Sequence, residues 1–446
     1  MELQLAWDVQ ARMTFFSSYI AGLSRTHDML APVYEDSITI GHGSTSSHYL
    51  SDSVDAVSLA FMAHHQPQHQ NQPALWALAR KRYQGAIQQV RAALLDKERA
   101  VRDDTLQSVL MLDLYEKIAN RGPPKPDVWM VHVNGALALI KARGATRNLD
   151  SQTARRLASR VITTLTVSAS VMGIRIPEAV VELYRDLSVY FPRTDVKWRV
   201  IGLIHEQQAF HADVTEGKYA SNEEALKGAL RVDARFAAVR EELEPLWRPT
   251  QVPLHTAPNP LVPRGDSHFN LYKDHITTQG ANVFRTMRLF LHTVIQQLLN
   301  DVAGERGVTT NNNNDGNEDS GNGGGASSGL DRNVILAASH AIINETIYEI
   351  CAAVPQFILP GARPINNVPF APLQTMQCYA MLPPMFAAAQ LSNDVEVRGW
   401  AVRALRYMAD GSGMEMASRF ADIIETSQET PFWNVYAMMG SYAFGI

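Results

Sequence analysis

Cysteine is nearly missing from this 446-residue chain: there are two, Cys351 and Cys378, each inside an apolar helical pattern. Two thiols exclude the disulfide framework of a small secreted protein and cannot alone build a four-thiolate zinc site; they suit reduced thiols in an intracellular protein. An excess of basic charge is also lacking, since 40 Lys and Arg stand against 45 Asp and Glu, a formal charge of -5. Duplex binding rests on cations that neutralise phosphates, so this balance argues against a self-sufficient DNA binder and leaves room only for a local basic patch. Residues 1–8 have neither the basic start nor the apolar run of a secretory leader. The uncharged run between Arg160 and Arg175 is too short to span a bilayer and contains several Ser and Thr, and the tail 430–446 is interrupted by Pro431, Gly440 and Gly445. A soluble protein without membrane contact is expected. Nowhere does apolar and polar residue alternation last long enough to propose a sheet.

What the chain does contain is helical periodicity over a composition that is 46% hydrophobic, enough to bury a large core. The expected fold is all-α, one helical domain over 1–446. Its centre is the stretch 74–144, which reads as three amphipathic helices over 74–95, 105–119 and 127–143. The second has apolar residues on more than one side, Leu106, Leu110 and Leu114 together with Val109, Leu112 and Tyr115, and so is expected to be buried on more than one side. Gly144 ends the third. Further helices are expected over 151–171, 177–190, 195–215 and 221–246, the last with mixed Glu, Lys and Arg that read as solvated surface. A Pro-rich connection over 245–265 leads to a long helix over 270–301, and a segment over 307–329 with Asn and Gly runs reads as a disordered insertion. The adjacent Pro383 and Pro384 are expected to split or kink a helix over 373–391.

Polar groups on otherwise apolar helix faces are the candidates for chemistry. Trp129 and His132 fall on the inward stripe of the third helix, and Glu116 ends an apolar run on the second. A histidine so placed is most simply a core group bonded to a carbonyl or a carboxylate such as Glu116; the sharper alternative is a ligand-contacting or proton-transferring pair with Glu116 or Asp113. In the second half Arg285, Arg288 and His292 follow one another at three- and four-residue spacing and form one polar ridge. Such a ridge holds an anionic or carbonyl-rich ligand if it lines a cavity, and is otherwise a solvent face or ion-pair site. The candidate ligand-binding residues are therefore Glu116, Trp129, His132, Arg285 and Arg288. His64, His65 and His69 flank Pro67 without carboxylate or thiolate help, so no metal site is assigned and no cofactor is expected.

Several stretches together resemble the regulatory domain of fungal zinc-cluster transcription factors. They are the helix over 83–95, Asp104-Thr105-Leu106 leading to Leu114-Tyr115-Glu116, and Trp129-x-x-His132-x-x-Gly135-Ala136 through Arg143-Gly144. In the second half they are Asn282-x-x-Arg285-x-x-Arg288-Leu289, Ile347-x-x-Ile350-Cys351-x-x-Val354-Pro355, Leu382-Pro383-Pro384 and Arg398-Gly399-Trp400. The resemblance spans about 15–421. The six-cysteine zinc cluster of that family has no counterpart here, for want of cysteines and of room before Phe15. The resemblance implies a large multi-helix fold and a regulatory protein, in nucleus or cytoplasm, that senses a small molecule or binds a protein partner without autonomous nucleic-acid binding. The alternative is an enzyme of secondary metabolism reusing the central cavity of this fold, with Glu116 and His132 as acid and base and the two arginines as anion holders.

Overall fold

A computed structural model describes residues 7–23, 48–65, 71–119, 126–254, 259–312, 331–428 and 430–439. The first half comprises α1 (Trp7–Thr14), α2 (His48–His65), α3 (Gln72–Leu94), a short α4 (Lys97–Ala100), α5 (Asp103–Ala119), α6 (Pro126–Leu149) and α7 (Gln152–Val171). Next come α8 (Glu178–Ser188), α9 (Val196–Thr215), α10 (Asn222–Trp247), α11 (His275–Asn312) and α12 (Arg332–Ala353). The remainder is α13 (Pro355–Ile358), α14 (Pro372–Tyr379), α15 (Leu382–Leu391), α16 (Val395–Ser412), α17 (Glu415–Glu425) and α18 (Phe432–Met439). The fold is all-α, as expected.

Helix starts follow side-chain chemistry. Ser151, Asp195, Ser221, Asp331 and Asp394 each accept a hydrogen bond from a backbone N–H of the first turn that follows them, satisfying donors that the helix itself leaves free. Packing then sorts the faces. Residues 105–115 of α5 are buried on every side, further than the expected burial on more than one, because α2, α3, α6 and α7 surround the helix. Buried apolar side chains from Ala11 to Met439 form one contiguous cluster, and Val262, Phe269 and Leu359 make a small second one. The stretch Arg332–Ile358 is long and apolar enough, by composition alone, to cross a bilayer. Here it packs on α11 and α15, and its Glu345 and Glu349 receive Arg240.

Several expectations are corrected. Gly144 does interrupt the third helix as expected, with a non-helical φ of +72°, but a further short helical stretch follows it to Leu149. Pro245 does not begin the connection but lies inside α10, which continues to a buried Trp247 set 5.1 Å from Phe284. The connection itself carries a two-stranded antiparallel ribbon, β1 (Thr250–Pro253) with β2 (His268–Leu271), in the register Val252 to Phe269. Four-residue strands are too short for alternation to announce them. The long helix starts at His275 rather than near 270 and continues to Asn312, so the first residues of the expected insertion are helical; 313–330 lie outside the described residues. Residues 15–20 form a π-helical turn that nothing in the periodicity signals. His69 also lies outside the described residues. Among the prolines, Pro383 and Pro384 do split the helix, into α14 and α15.

Candidate functional site

The aromatic, acidic and imidazole residues of the first half gather where α3, α5 and α6 meet. Tyr83 stacks on Tyr115 with ring centres 4.2 Å apart, and its hydroxyl donates to Glu116. Burial, reinforced by the Glu116 carboxylate, pushes the Tyr83 phenol well up, so it stays a neutral donor. His132 is half-buried; burial lowers its basicity, the Asp113 and Glu116 carboxylates pull it back up, and Lys117 opposes them. Lys117 is itself buried and donates to Asp113 one turn before it, with burial lowering its ammonium pKa against the pull of that carboxylate. Glu116 and His132 thus share one electrostatic neighbourhood. Trp129 is in α6, and its side chain lies outside the described residues.

Arg285 and Arg288 are placed elsewhere, on the seam of α10, α11 and α12. Arg285 is buried and donates to Glu349 at 2.8 Å, Asn282 at 2.8 Å and the Tyr272 hydroxyl at 2.7 Å. Arg240 of α10 reaches the other Glu349 oxygen at 2.8 Å. One turn on, Arg288 grips both oxygens of Asp233, at 2.8 and 3.3 Å. The ridge read from the spacing is real, and it faces acceptors within the protein. Neither arginine interacts with Glu116 or His132, so the two halves of the candidate set form separate clusters.

His292, next on that ridge, contacts Asp233 through Nε2 at 3.2 Å and Ser339 through Nδ1 at 3.1 Å, and Gln296 donates to the same serine at 3.3 Å. Acid, imidazole and hydroxyl in this order are the components of an activated nucleophile. Ser339, however, is 1% exposed and borders neither cavity described below. The chain of contacts is a buried polar strut between α10, α11 and α12.

A groove that the periodicity gave no reason to expect lies between α8, α9 and α10, with a volume of about 680 Å³. Leu203 and Val239 form an apolar floor, Val181 and Tyr184 form the α8 wall, and Arg199, Arg235, Glu206 and Glu242 stand on the rim. The wall is built by aromatic stacking: Trp198 lies 4.0 Å from Phe191 and 4.7 Å from Tyr184, whose hydroxyl donates to the Trp198 carbonyl at 3.1 Å. Gly202 allows this approach, since a Cβ there would sit 2.5 Å from the Tyr184 hydroxyl. His205 borders the groove, with Nε2 2.8 Å from the Thr166 hydroxyl and Nδ1 unpartnered. Burial holds its pKa down at about 4, so the ring is neutral at physiological pH. Behind it, Thr166, Ile204, Met287 and Tyr436 help line an inner apolar cavity of about 30 Å³, little more than one water. The signals available in sequence were weak: Arg235 and Glu242 fall in the stretch 221–246 that reads as solvated helix surface, and Arg199 stands in a helix with no distinguishing pattern.

Residues 37–301 match the model of the fungal specific transcription factor domain. The match covers more than half of the chain, contains α2 to α10 and the ribbon, and ends within α11. The chain belongs to this family, and its role is of the transcription-regulator type. No curated protein and no solved structure matches it. The matched region takes in the α8–α10 groove and the Tyr83–Glu116–His132 cluster, as well as Arg285 and Arg288.

Proposed function

We propose that these residues form a transcription-regulatory domain that senses a small molecule in the α8–α10 groove and acts in the nucleus, with DNA recognition supplied by another module or by a partner. The groove carries the ligand part of this reading: its volume falls within the several hundred Å³ usual for small-molecule sites, and it joins an apolar floor to a few polar groups. Family membership supports the regulatory part. The formal charge of -5 and the two buried cysteines favour leaving DNA contacts to another element.

Ala209 is exposed on the groove, so Ala209→Trp fills the site without disturbing the core. Joined to a heterologous DNA-binding module, the wild-type chain is expected to set reporter output and the Ala209→Trp chain to alter it, with unchanged circular dichroism. A salt-titrated gel-shift assay on the purified chain is expected to show no sequence-specific complex. Equal reporter output from the two chains would remove the groove from the mechanism, and a tight specific complex without partners would overturn the assignment of DNA recognition.

A further inference from the structure

The rim of the groove presents more hydrogen-bond donors than the protein satisfies. Two rungs cross from α9 to α10: Arg199 donates to Glu242 at 2.6 Å, and Arg235 reaches Glu206 through two long contacts of 3.3 and 3.5 Å. Positions 199 and 206 are seven residues apart, as are 235 and 242, so the antiparallel helices meet at two levels about two turns, or roughly 10 Å, from each other. From α8, Arg185 makes one contact with Glu178, at 3.3 Å. A guanidinium has five N–H donors and accepts nothing. These three arginines therefore engage a minority of their donors, whereas Arg175 at the end of the groove is held by Asp213 and Glu216 together. Charge is balanced across the rim; hydrogen bonding is not.

The floor between the rungs sets the other half of the requirement. Leu203 and Val239 are buried and apolar, and His205 beside them is neutral with one nitrogen free. A neutral alcohol has a single oxygen and cannot take two parallel N–H bonds from one guanidinium, and a cation would bring further donors to a rim already rich in them. A planar two-oxygen head matches the guanidinium fork. Arg235 is the arginine best placed to take it: its side chain is 57% exposed and its contacts with Glu206 are the longest on the rim, so Glu206 can turn back to water.

We infer that the groove binds an amphipathic organic anion, its apolar body on Leu203 and Val239 and its carboxylate accepting paired N–H bonds from Arg235. This rests on the groove being the effector site proposed above and adds the chemical class of the effector. Isothermal titration of the full chain with decanoate, decan-1-ol and decylammonium tests it, since the three differ only in the head group. Decanoate is expected to bind about tenfold tighter than either of the others. Arg235→Met is expected to weaken decanoate about tenfold and to leave decan-1-ol unchanged. Glu206→Gln is expected to tighten decanoate, because Arg235 loses its competing carboxylate. Opposite responses to these two variants are not produced by nonspecific partition of an alkyl chain. If Arg235→Met fails to fold, Arg235→Lys, which keeps the charge but loses the fork, takes its place with the same expected direction. Equal binding of decanoate and decan-1-ol, unchanged decanoate affinity in the Arg235 variant, or no binding of decanoate at millimolar concentration would each overturn the anion assignment. A reporter that still responds to Ala209→Trp would then leave the groove as the effector site for another class of ligand.

Discussion

Arg285 on α11 is clamped to Glu349 on α12 at 2.8 Å, and Asn282 and the Tyr272 hydroxyl take its two terminal nitrogens. Its guanidinium is satisfied on all three nitrogens and buried, so a ligand carboxylate would have to displace the protein's own acceptors. Arg288 gives its Nε and one terminal nitrogen to Asp233, and both arginines act as cross-braces of the helix seam.

Removing one partner of such a pair leaves the other buried and uncompensated, which costs about 3 kcal/mol or more. Arg285→Leu is therefore expected to lower the urea midpoint strongly, and Arg285→Leu with Glu349→Leu to recover part of the loss. Both are read from equilibrium unfolding. A single variant as stable as the wild type would show that the seam does not depend on this brace.

Asp233 and His205 are among the groups that give stability an acid-side dependence. Burial raises the Asp233 carboxyl, but hydrogen bonds from His292 and Arg288 outweigh it and hold the group at about 2, against an ordinary 3.8. The unfolded chain binds that proton more readily, so the stabilisation is complete above about pH 4 and fades as pH falls toward 2, about 2 kcal/mol in all. His205 sits at about 4 against an ordinary 6.5, because burial disfavours its charged form. Here too the unfolded chain takes the proton first, and stability declines as pH falls from 6.5 to 4, by about 3 kcal/mol at most. Unfolding curves taken between pH 7 and 3 are expected to lose the upper part of this slope in His205→Gln and the lower part in Asp233→Asn. A His205 variant with the full upper slope would count against the assignment.

At Gly202 the wall of the groove tolerates no side chain. A Cβ would lie 2.5 Å from the Tyr184 hydroxyl and 3.1 Å from its ring carbon Cζ, and stacking on Trp198 keeps that ring from swinging away. Gly202→Ala is expected to destabilise by about 1–3 kcal/mol. Tyr184→Phe in the same chain removes the closest atom and is expected to restore part of the stability, a non-additive result that a double-mutant cycle in thermal unfolding would reveal.

Tyr83 separates stacking from hydrogen bonding in the first-half cluster. Tyr83→Phe keeps the ring 4.2 Å from Tyr115 but takes the donor from Glu116, and is expected to cost about 1 kcal/mol. Tyr83→Leu loses the ring contact as well and is expected to cost about 1 kcal/mol more. Chemical denaturation distinguishes them; equal values for the two would mean that the ring contributes nothing.

Much of the candidate set was legible one helix at a time. The apolar stripe of α6 put His132 on the inward face, and the three- and four-residue spacing of Arg285, Arg288 and His292 placed them on one ridge, because both patterns follow from the geometry of a single helix. What that ridge faces depends on Asp233 and Glu349, which are 55 and 64 residues from their arginines in the chain. No periodicity encodes such a pairing. Arg235 and Glu206 are harder still, since each alone is an ordinary charged residue on a helix surface and only their apposition across α9 and α10 makes a rim.

Periodicity and capping chemistry by themselves determined a helical chain, the burial of α5 on more than one side, the split at Pro383 and Pro384, and the starts of helices at Ser151, Asp195 and Ser221. Those features depend on contacts between residues near one another in the chain, which short-range sterics and hydrogen bonding specify. Tertiary structure alone decided that the arginines of α11 brace the interior, that α10 runs through Pro245 to bury Trp247, and that α8, α9 and α10 enclose a groove. These arise where the faces of separate helices meet, and the packing of those faces is a property of the whole core.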